Sequence, residues 1–439
     1  MSFAPRGSSE SGSAGCPSRF LRGRDRRGGP AAVGGRIQTR PEALELFARS
    51  LAPDDWVALE VTGNAWAIAQ ILEPHVARVI VVSPTDTGIR QARVKTDRLD
   101  ARTLAKLLWA GELDGVWTPD ERVRVMRRRL GRRAQLVRAR SRVKNEIHAV
   151  LMRCLKDRPP ASDLFGIKGR RWLADQQLAL CERETVDAGL RQVDFLDSEI
   201  AQVERLIAAD ALGWPEVKRL MTVPGVNVIV AATFMAAVGD IRRFAARRKL
   251  TAYLGLDPRV RQSGAGPANH GHISKQGSNS ARHALVEACW STVRQPGPIA
   301  AFYQRIRARR GHSIAIVASA RKLACLCWCL LTRGEGYAFA QPSLTAKKMR
   351  RLELQAGAPR WQGGRHVWSA NDAMRHAERA LAEQAELAYR RTSLTGKPPG
   401  QPRRARVRHR GTHLKSPRRA KWTSPGSVDT GFLGGDGRR

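Results

Sequence analysis

Two short apolar runs on either side of one helical segment constrain the fold of this 439-residue chain more than any other feature. The runs are WVALEV at residues 56–61 and RVIVVS at residues 78–83, and both have the length and β-branched content of buried strands. The segment between them, NAWAIAQILEP, has the pattern of a helix. Strand–helix–strand order predicts an α/β domain with parallel pairing, which we bound at residues 36–119.

The region that follows, residues 120–213, is helical and very basic. Its second half has apolar residues at gaps of 3, 4, 3 and 4, the spacing of a coiled-coil seam. These residues are Val193, Leu196, Ile200, Val203 and Ile207. An antiparallel hairpin or a dimerisation arm is the simplest interpretation, and an ordinary packed helix is the alternative.

Residues 214–340 are predicted to form a third, mainly α-helical domain. It opens with LMTVPGVNVIVAATFMAAVGDIRRF, in which a Pro-Gly turn between two apolar helices indicates a helix-hairpin-helix. Asn227 stands where such a turn favours a left-handed residue. The two ends, residues 1–35 and 341–439, are basic and rich in Gly, Ser and Pro, and we expect them to be largely disordered.

The chain contains 77 Lys+Arg against 39 Asp+Glu, a net charge of +38, which favours a polyanionic partner. Nucleic acid is the first candidate, because neutralising phosphates releases counterions. A solvated basic surface is the alternative. No apolar run approaches 18 residues and no C-x-x-C pair occurs, so we expect neither a membrane partner nor a zinc ribbon, and a cytoplasmic location.

Two aspartates three residues apart, Asp97 and Asp100, lie in the helix-forming stretch VKTDRLDARTLAKLL. Positions i and i+3 share one helix face, so their carboxylates can converge on one cation. Neighbouring arginines would offset the repulsion equally well, and spacing alone favours that simpler explanation. Glu60, a carboxylate in an otherwise apolar strand, shifts the balance towards a shared divalent metal, as in nuclease folds of the RNase H type.

A second constellation lies in the Gly/Ser-rich segment LGLDPRVRQSGAGPANHGHISKQGSNSARHAL at residues 254–285. Its cations, Arg259, Arg261, Lys275 and Arg282, suit a phosphate, and a serine among them, Ser263, Ser274 or Ser278, could attack phosphorus as a nucleophile. A DNA-contacting loop without a covalent role is the alternative. Lys95, beside the two aspartates, joins these residues as a candidate nucleic-acid contact.

Six segments in this order resemble the DEDD transposases of bacterial insertion sequences, which are also described as bridge-RNA-guided recombinases. They are LEVTGNAW, KTDRLDARTLAKLL, LMTVPGV, YLGLDPRVRQSG, ISKQGSNSARHAL and RRGHSIAIVASARKLACLCW, and the resemblance covers roughly residues 36–355. Each motif is weak alone, and their shared order makes the resemblance specific.

The resemblance implies an α/β, RNase H-like (RuvC-like) N-terminal domain, a helical coiled-coil arm and a serine-bearing transposase domain. Glu60, Asp97 and Asp100 match the family's Glu and last two Asp, and Ser263 matches its nucleophilic serine. The implied reaction is DNA strand cleavage and exchange through a phosphoserine, assisted by Mg²⁺ and guided by a structured RNA. The implied assembly is a homo-oligomer, a dimer or tetramer. A RuvC-like nuclease without serine chemistry and a non-catalytic nucleic-acid-binding remnant are the alternatives.

The family's first strand, which carries its first Asp, is not found in the sequence. Its expected place reads SGSAGCPSR, and Asp25 in GRDRRGG is the nearest acid but sits outside any strand pattern. We therefore expect the domain to lack its first strands. A frameshifted or mis-started reading frame would explain this, and translating the upstream DNA in all frames tests it: no G-[IL]-D strand in any frame would contradict it.

Overall fold

The computed structural model describes residues 18–23, 32–83, 97–264, 266, 268–360 and 368–395. Residues 1–389 make one compact unit, and of the second, residues 390–439, only the end of one helix is described. The described strands are β1 Ser18–Gly23, β2 Ala32–Ile37, β3 Trp56–Glu60, β4 Arg78–Val82, β5 Pro258–Arg261 and β6 Asn269–Ile273.

The helices outnumber the strands, and most of the chain is α-helical. They are α1 Pro41–Arg49, α2 Ala65–Leu72, α3 Asp97–Ala110, α4 Glu121–Arg153, α5 Ile167–Ala174, α6 Leu180–Leu212, α7 Pro215–Leu220, α8 Val228–Val238, α9 Arg247–Tyr253, α10 Asn279–Thr292, α11 Pro298–Arg310, α12 His312–Arg333, α13 Pro342–Gln355 and α14 Trp368–Thr395.

A four-stranded sheet in the order β2-β1-β3-β4 forms the N-terminal domain. β3 and β4 pair in parallel with Val57 opposite Val79 and Leu59 opposite Val81, which confirms the predicted strand–helix–strand unit. Side chains alternate between the two faces of β3. Val57 and Leu59 pack with α1 and α2 on one face, whereas Ala58 packs with α3 on the other.

The expectation that residues 1–35 are disordered, and that the domain lacks strands before residue 36, is wrong for β1 and β2. β1 pairs antiparallel with both β2 and β3. The error has a physical cause: both segments are rich in Gly and Arg, which have low strand propensity, and the backbone hydrogen bonds of the sheet outweigh it. Asp25 lies outside the described residues.

The basic region folds as a hairpin of two 33-residue helices, α4 and α6. Their cross-pairs run in opposite directions, from Arg129 with Asp210, through Arg133 with Glu204 at 2.7 Å, to Arg153 with Glu182 at 2.8 Å. The residues of α6 that are buried at seven-residue intervals are Val186, Val193, Ile200 and Ile207. The antiparallel pairing expected at residues 120–213 is therefore present, and a coiled-coil supercoil stays a prediction.

The helical domain packs around one large core to which α7–α12 contribute. α12, with 22 residues, is long and apolar enough to cross a membrane, contrary to the expectation that no such run exists. The expectation overlooked it because two cations, Arg321 and Lys322, interrupt the run. Half of its apolar window is buried, and Ala320, Leu323 and Cys327 lie in the domain core, as in the central helix of a globular domain.

The expectation of a largely disordered segment from residue 341 is also wrong for α13 and α14. Both helices are rich in Ala, Leu, Glu, Lys and Arg, which have high helix propensity, and the overall basic charge concealed that signal. Ser343 at the start of α13 donates from its hydroxyl to Glu378 of α14 at 2.6 Å. Residues 396–439 lie outside the described part of the chain.

Candidate functional site

The hairpin of β5 and β6 carries the predicted serine and most of the predicted cations. Two glycines allow the chain segments at its base to cross closely, Gly255 at φ +68° and Gly277 at φ +81°. A Cβ at Gly277 would come within 1.9 Å of the carbonyl oxygen of Tyr253, so no other residue fits without movement of the backbone. Asp257, just before β5, pairs with Arg321 of α12 at 2.8 Å and fixes the hairpin to the core.

A cleft of about 420 Å³ lies along the hairpin. Its described lining consists of three cations, two other polar residues and a small apolar patch, with no carboxylate among them. The lining residues are Arg259, Arg261, Asn269, Gly271, His272, Ile273 and Lys275. Three positive charges in one concave surface attract an anion of phosphate size.

Ser263 lies two residues beyond β5, in the loop between the strands, and its side chain is exposed. Gln262 closes this loop by donating from Nε2 to the carbonyl oxygen of Gly266 at 3.0 Å. The next residue, Gly264, has φ +60° with no atom within 4 Å of a Cβ built there. Within the described part of the chain no side chain is hydrogen-bonded to the Ser263 hydroxyl, so a reacting group can approach it directly.

Arg282, a predicted nucleic-acid contact, is engaged within the protein. Its Nη1 donates to the carbonyl oxygens of Leu254, Gln276 and Gly277 at 3.0, 3.0 and 3.1 Å. Burial lowers the pKa of this guanidinium, and the three carbonyls hold it in place at the base of the hairpin. Its structural role is to position the loop that carries Lys275.

Two of the three predicted acidic residues, Glu60 and Asp100, lie on elements that pack against each other, β3 and α3. Glu60 ends β3 and, by strand alternation, lies on the face that α3 covers. Asp100 is partly exposed in the first turns of α3, and the next residue, Ala101, packs on Ala58 and Val82 in the sheet. α3 begins at Asp97, but the Asp97 side chain, like Lys95, is outside the described residues.

The strand next to β3 bears no carboxylate. β1 pairs with β3 through Leu21 opposite Ala58 and Gly23 opposite Trp56. β1 contains no Asp or Glu, so it contributes no carboxylate beside β3.

The described residues do not by themselves make up a divalent-metal site. Nowhere in the ranges that the structure covers do three His, Cys, Asp or Glu side chains come together around one point. Glu60 and Asp100 supply two carboxylates, whereas hard cations such as Mg²⁺ use several oxygen ligands. We therefore derive no chemical step through a metal.

The turn between α7 and α8 differs from its predicted form. Asn227 has extended backbone (φ −99°, ψ 179°) and caps α8 by accepting from the Val230 amide at 2.9 Å. The left-handed residue is Gly225 at φ +85°, where a Cβ would lie 2.4 Å from the hydroxyl oxygen of Thr292. Because Gly225 supplies the positive φ of the turn, Asn227 can keep an extended backbone and cap α8 with its side chain.

Sequence reasoning missed several residues that position this site. Asp257 and Arg321, which fix the hairpin, are 64 residues apart, and no local pattern links them. Lys348 of α13 lies in a segment expected to be disordered, yet its Nζ donates to the carbonyl oxygens of Met221 and Val223 at 2.8 and 2.7 Å. His272 and Asn269 are three residues apart in β6, and strand alternation gave no sign that both line the cleft.

Comparisons with known proteins match both halves of the chain. A family model described as Transposase (DEDD type, IS110) matches residues 33–155, and one described as Transposase IS116/IS110/IS902 family matches residues 217–304. The first match begins inside β2 and implies an RNase H-like fold for the N-terminal domain, and the second contains the β5–β6 hairpin.

Individual relatives agree with the two family models. A Pseudomonas aeruginosa protein described as a family 20 transposase is 27% identical over 324 residues, 69% of this chain and 91% of its own length. The transposase for insertion sequence element IS1111A of Coxiella burnetii is 28% identical over 249 residues, 55% and 68%. The Sinorhizobium fredii protein y4qE, described as a transposase, is 34% identical over 221 residues, and the match spans only 53% of its length.

Proposed function

Because the chain belongs to the DEDD, IS110-type family of insertion-sequence transposases, we propose that it cleaves and exchanges DNA strands with Ser263 as the nucleophile. The observation that carries the proposal is the exposure of Ser263 on a hairpin whose cleft gathers Arg259, Arg261 and Lys275. A phosphodiester held by these cations would have its phosphorus within reach of a hydroxyl on the same loop.

The chemistry balances without an external energy source. The Ser263 oxygen attacks phosphorus, the P–O bond to one flanking deoxyribose breaks, and the serine proton leaves to solvent or a base. The departing sugar oxygen takes up a proton and becomes a free hydroxyl. Attack by the hydroxyl of a second strand reverses these steps and completes the exchange. The cleft cations stabilise the charge that develops on the phosphoryl oxygens.

Other parts of the proposal rest on the family resemblance. Glu60, Asp97 and Asp100 would hold Mg²⁺, a structured RNA would select the DNA by base pairing, and the active assembly would be a dimer or tetramer in the bacterial cytoplasm, associated with the nucleoid. The Mg²⁺ part has the weakest support, since β1, the strand that pairs antiparallel with β3, contains no Asp or Glu.

The lack of a carboxylate in β1 favours a second candidate, a nucleic-acid-binding remnant of a transposase without a complete acidic site. A RuvC-like nuclease without serine chemistry is the third candidate, and it has less support because the hairpin serine would then have no role. The strand-exchange enzyme requires both the serine and the acidic residues. The remnant requires neither, and the nuclease requires the acidic residues alone.

The experiment supplies the chain with the ends of its encoding element and the RNA transcribed from it, over a Mg²⁺ titration, and measures strand exchange by sequencing the junctions. We expect exchange with the wild type and none with Ser263→Ala, while both bind DNA equally. Arg294→Gln, at an exposed cation outside the hairpin, is the control and should retain exchange. Equal exchange by Ser263→Ala would contradict the serine role, and no exchange by any protein would favour the remnant.

A further inference from the structure

The arginines of α4 fall into two sets with different surroundings. One set faces α6, and three of its members have carboxylate partners there: Arg129 with Asp210, Arg133 with Glu204 and Arg140 with Asp197. The whole helix contains twelve Arg or Lys and two Glu, whereas α6 contains eight Asp or Glu. The acids of α6 therefore account for the inward-facing arginines of α4.

The second set, which we call the outer track, faces solvent. Its four members are Arg128, Arg132, Arg138 and Arg142. At 3.6 residues per turn they fall within a sector of about 120°, centred roughly 140° away from the arginines that face α6. Their spacing of 4, 6 and 4 residues extends over about 21 Å along the helix axis.

The outer track is poorly neutralised by the protein. Arg128 pairs with Glu121 at the surface, with side chains 66% and 60% exposed. Arg132, at the edge of the hairpin, is 56% exposed and lies 3.9 Å from Glu199 of α6. Exposed pairs of this kind contribute little. Arg138 and Arg142 have no ion-pair partner within the described residues. Like charges one turn apart on a helix repel each other, so the track destabilises α4 unless an anion covers it.

An exposed glycine in the same sector points to a close ligand. Gly131 lies inside α4 between Arg128 and Arg132, and no atom comes within 4 Å of a Cβ built there. Packing within the protein therefore does not require a glycine, although glycine disfavours a helix relative to alanine. A missing side chain lets a bulky partner approach the helix backbone between the two arginines. Gln135, also exposed, is the uncharged residue at the centre of the track.

We propose that the outer track of α4 is a second DNA-binding surface, separate from the Ser263 hairpin, and that it holds the phosphate backbone of a DNA duplex. Guanidinium groups spread along an exposed helix face suit the phosphates of a DNA backbone, and contacts to phosphates carry no sequence information, so we expect binding to be independent of sequence. The choice of DNA over another polyanion as the ligand rests on the proposed function. The assignment of the outer track as an anion-binding surface does not depend on that function.

The test is the salt dependence of binding to a 30-base-pair DNA duplex of arbitrary sequence, followed by fluorescence anisotropy between 50 and 200 mM salt. The variant replaces Arg128, Arg132, Arg138 and Arg142 with Gln, a good helix former. Each lost phosphate contact lowers the slope of log K against log salt by about 0.9, so the slope should fall by about 3.6. Over this range the wild type should then lose about 150-fold more affinity than the variant.

The matched control replaces four exposed arginines of the helical domain, Arg294, Arg307, Arg310 and Arg333, and so removes the same charge elsewhere. We expect its slope to stay much closer to that of the wild type. An equal fall of the slope in both variants would mean that net charge alone sets the salt dependence, and it would overturn the proposal. So would an unchanged slope in the track variant, or a fall seen only with an RNA duplex of the same length.

Gly131→Ala is a second variant that does not depend on removing charge. It should raise the melting temperature, because alanine favours the helix, and weaken DNA binding, because a methyl group enters the contact. Unchanged DNA affinity would contradict the close approach. If the proposal for the outer track fails, the proposal for Ser263 is not affected. Ser263→Ala is expected to keep full DNA binding in either case, and only the strand-exchange assay reports on the serine.

Discussion

A few residues at its base set the shape of the β5–β6 hairpin. Gly255 and Gly277 allow two backbone segments to cross, Arg282 joins three carbonyl groups at that crossing, and Asp257 ties the strand to α12. Ser263 is left exposed at the far end of the hairpin. The serine is thus placed by a rigid base, while its own loop remains open to a DNA strand.

Two glycines of this hairpin provide a matched pair for a stability test. Gly277→Ala brings a Cβ within 1.9 Å of a backbone oxygen at φ +81°, so we expect a loss of more than about 2 kcal/mol. Gly264→Ala has a similar φ of +60° but open space, and we expect a loss of about 1 kcal/mol. Urea unfolding measures both. Equal losses would show that the close crossing is not as the structure describes.

The elements that the sequence predicts best are those with an internal pattern. Parallel pairing of β3 with β4 followed from two β-branched runs around a helix, and the antiparallel pairing of α4 and α6 followed from spacing within one segment. β1, β2, α13 and α14 were missed because their stability comes from pairing or packing with distant residues, which composition conceals. The clustering of Arg259, Arg261 and Lys275 was predicted from one segment, whereas Arg321 and Lys348, which act from other elements, were not predicted.

The seven-residue burial pattern of α6 makes a prediction about the hairpin. Ile207 is 0% exposed and its neighbour Leu206 is 48% exposed. Ile207→Ala should lower the free energy of unfolding by about 3 kcal/mol, because it leaves a cavity at the seam. Leu206→Ala should change it by less than about 0.5 kcal/mol. Thermal unfolding followed by circular dichroism distinguishes the two, and similar effects would argue against a packed seam.

Lys348 links α13 to the turn before α8 and makes the fold sensitive to pH. Burial lowers the pKa of this lysine from 10.5 to about 8. Between pH 8 and 10.5 the unfolded chain therefore binds a proton that the folded chain does not, so stability should rise with pH across this window. Lys348→Met should lose that rise. The difference between wild type and variant in urea unfolding at pH 7.5, 9 and 10 measures it, and a constant difference would contradict the lowered pKa.

Three regions of the molecule have distinct roles in the proposed function. The sheet domain carries Glu60 at the end of β3 and Asp100 in α3. The α4–α6 hairpin carries the outer track, and the helical domain carries Ser263 in the loop beyond the strand that lines its cationic cleft. The family resemblance predicts an acidic site that the described residues only partly supply.

The central claim is that Ser263 becomes covalently linked to DNA, and the most direct measurement is to capture that link. The protein is incubated with labelled element-end DNA and the encoding element's RNA, denatured, digested with trypsin and a nuclease, and analysed by mass spectrometry. The account predicts a nucleotide attached to the peptide that contains Ser263, and none with Ser263→Ala. Strand cleavage without that adduct, an adduct on another residue, or no cleavage at all would contradict it.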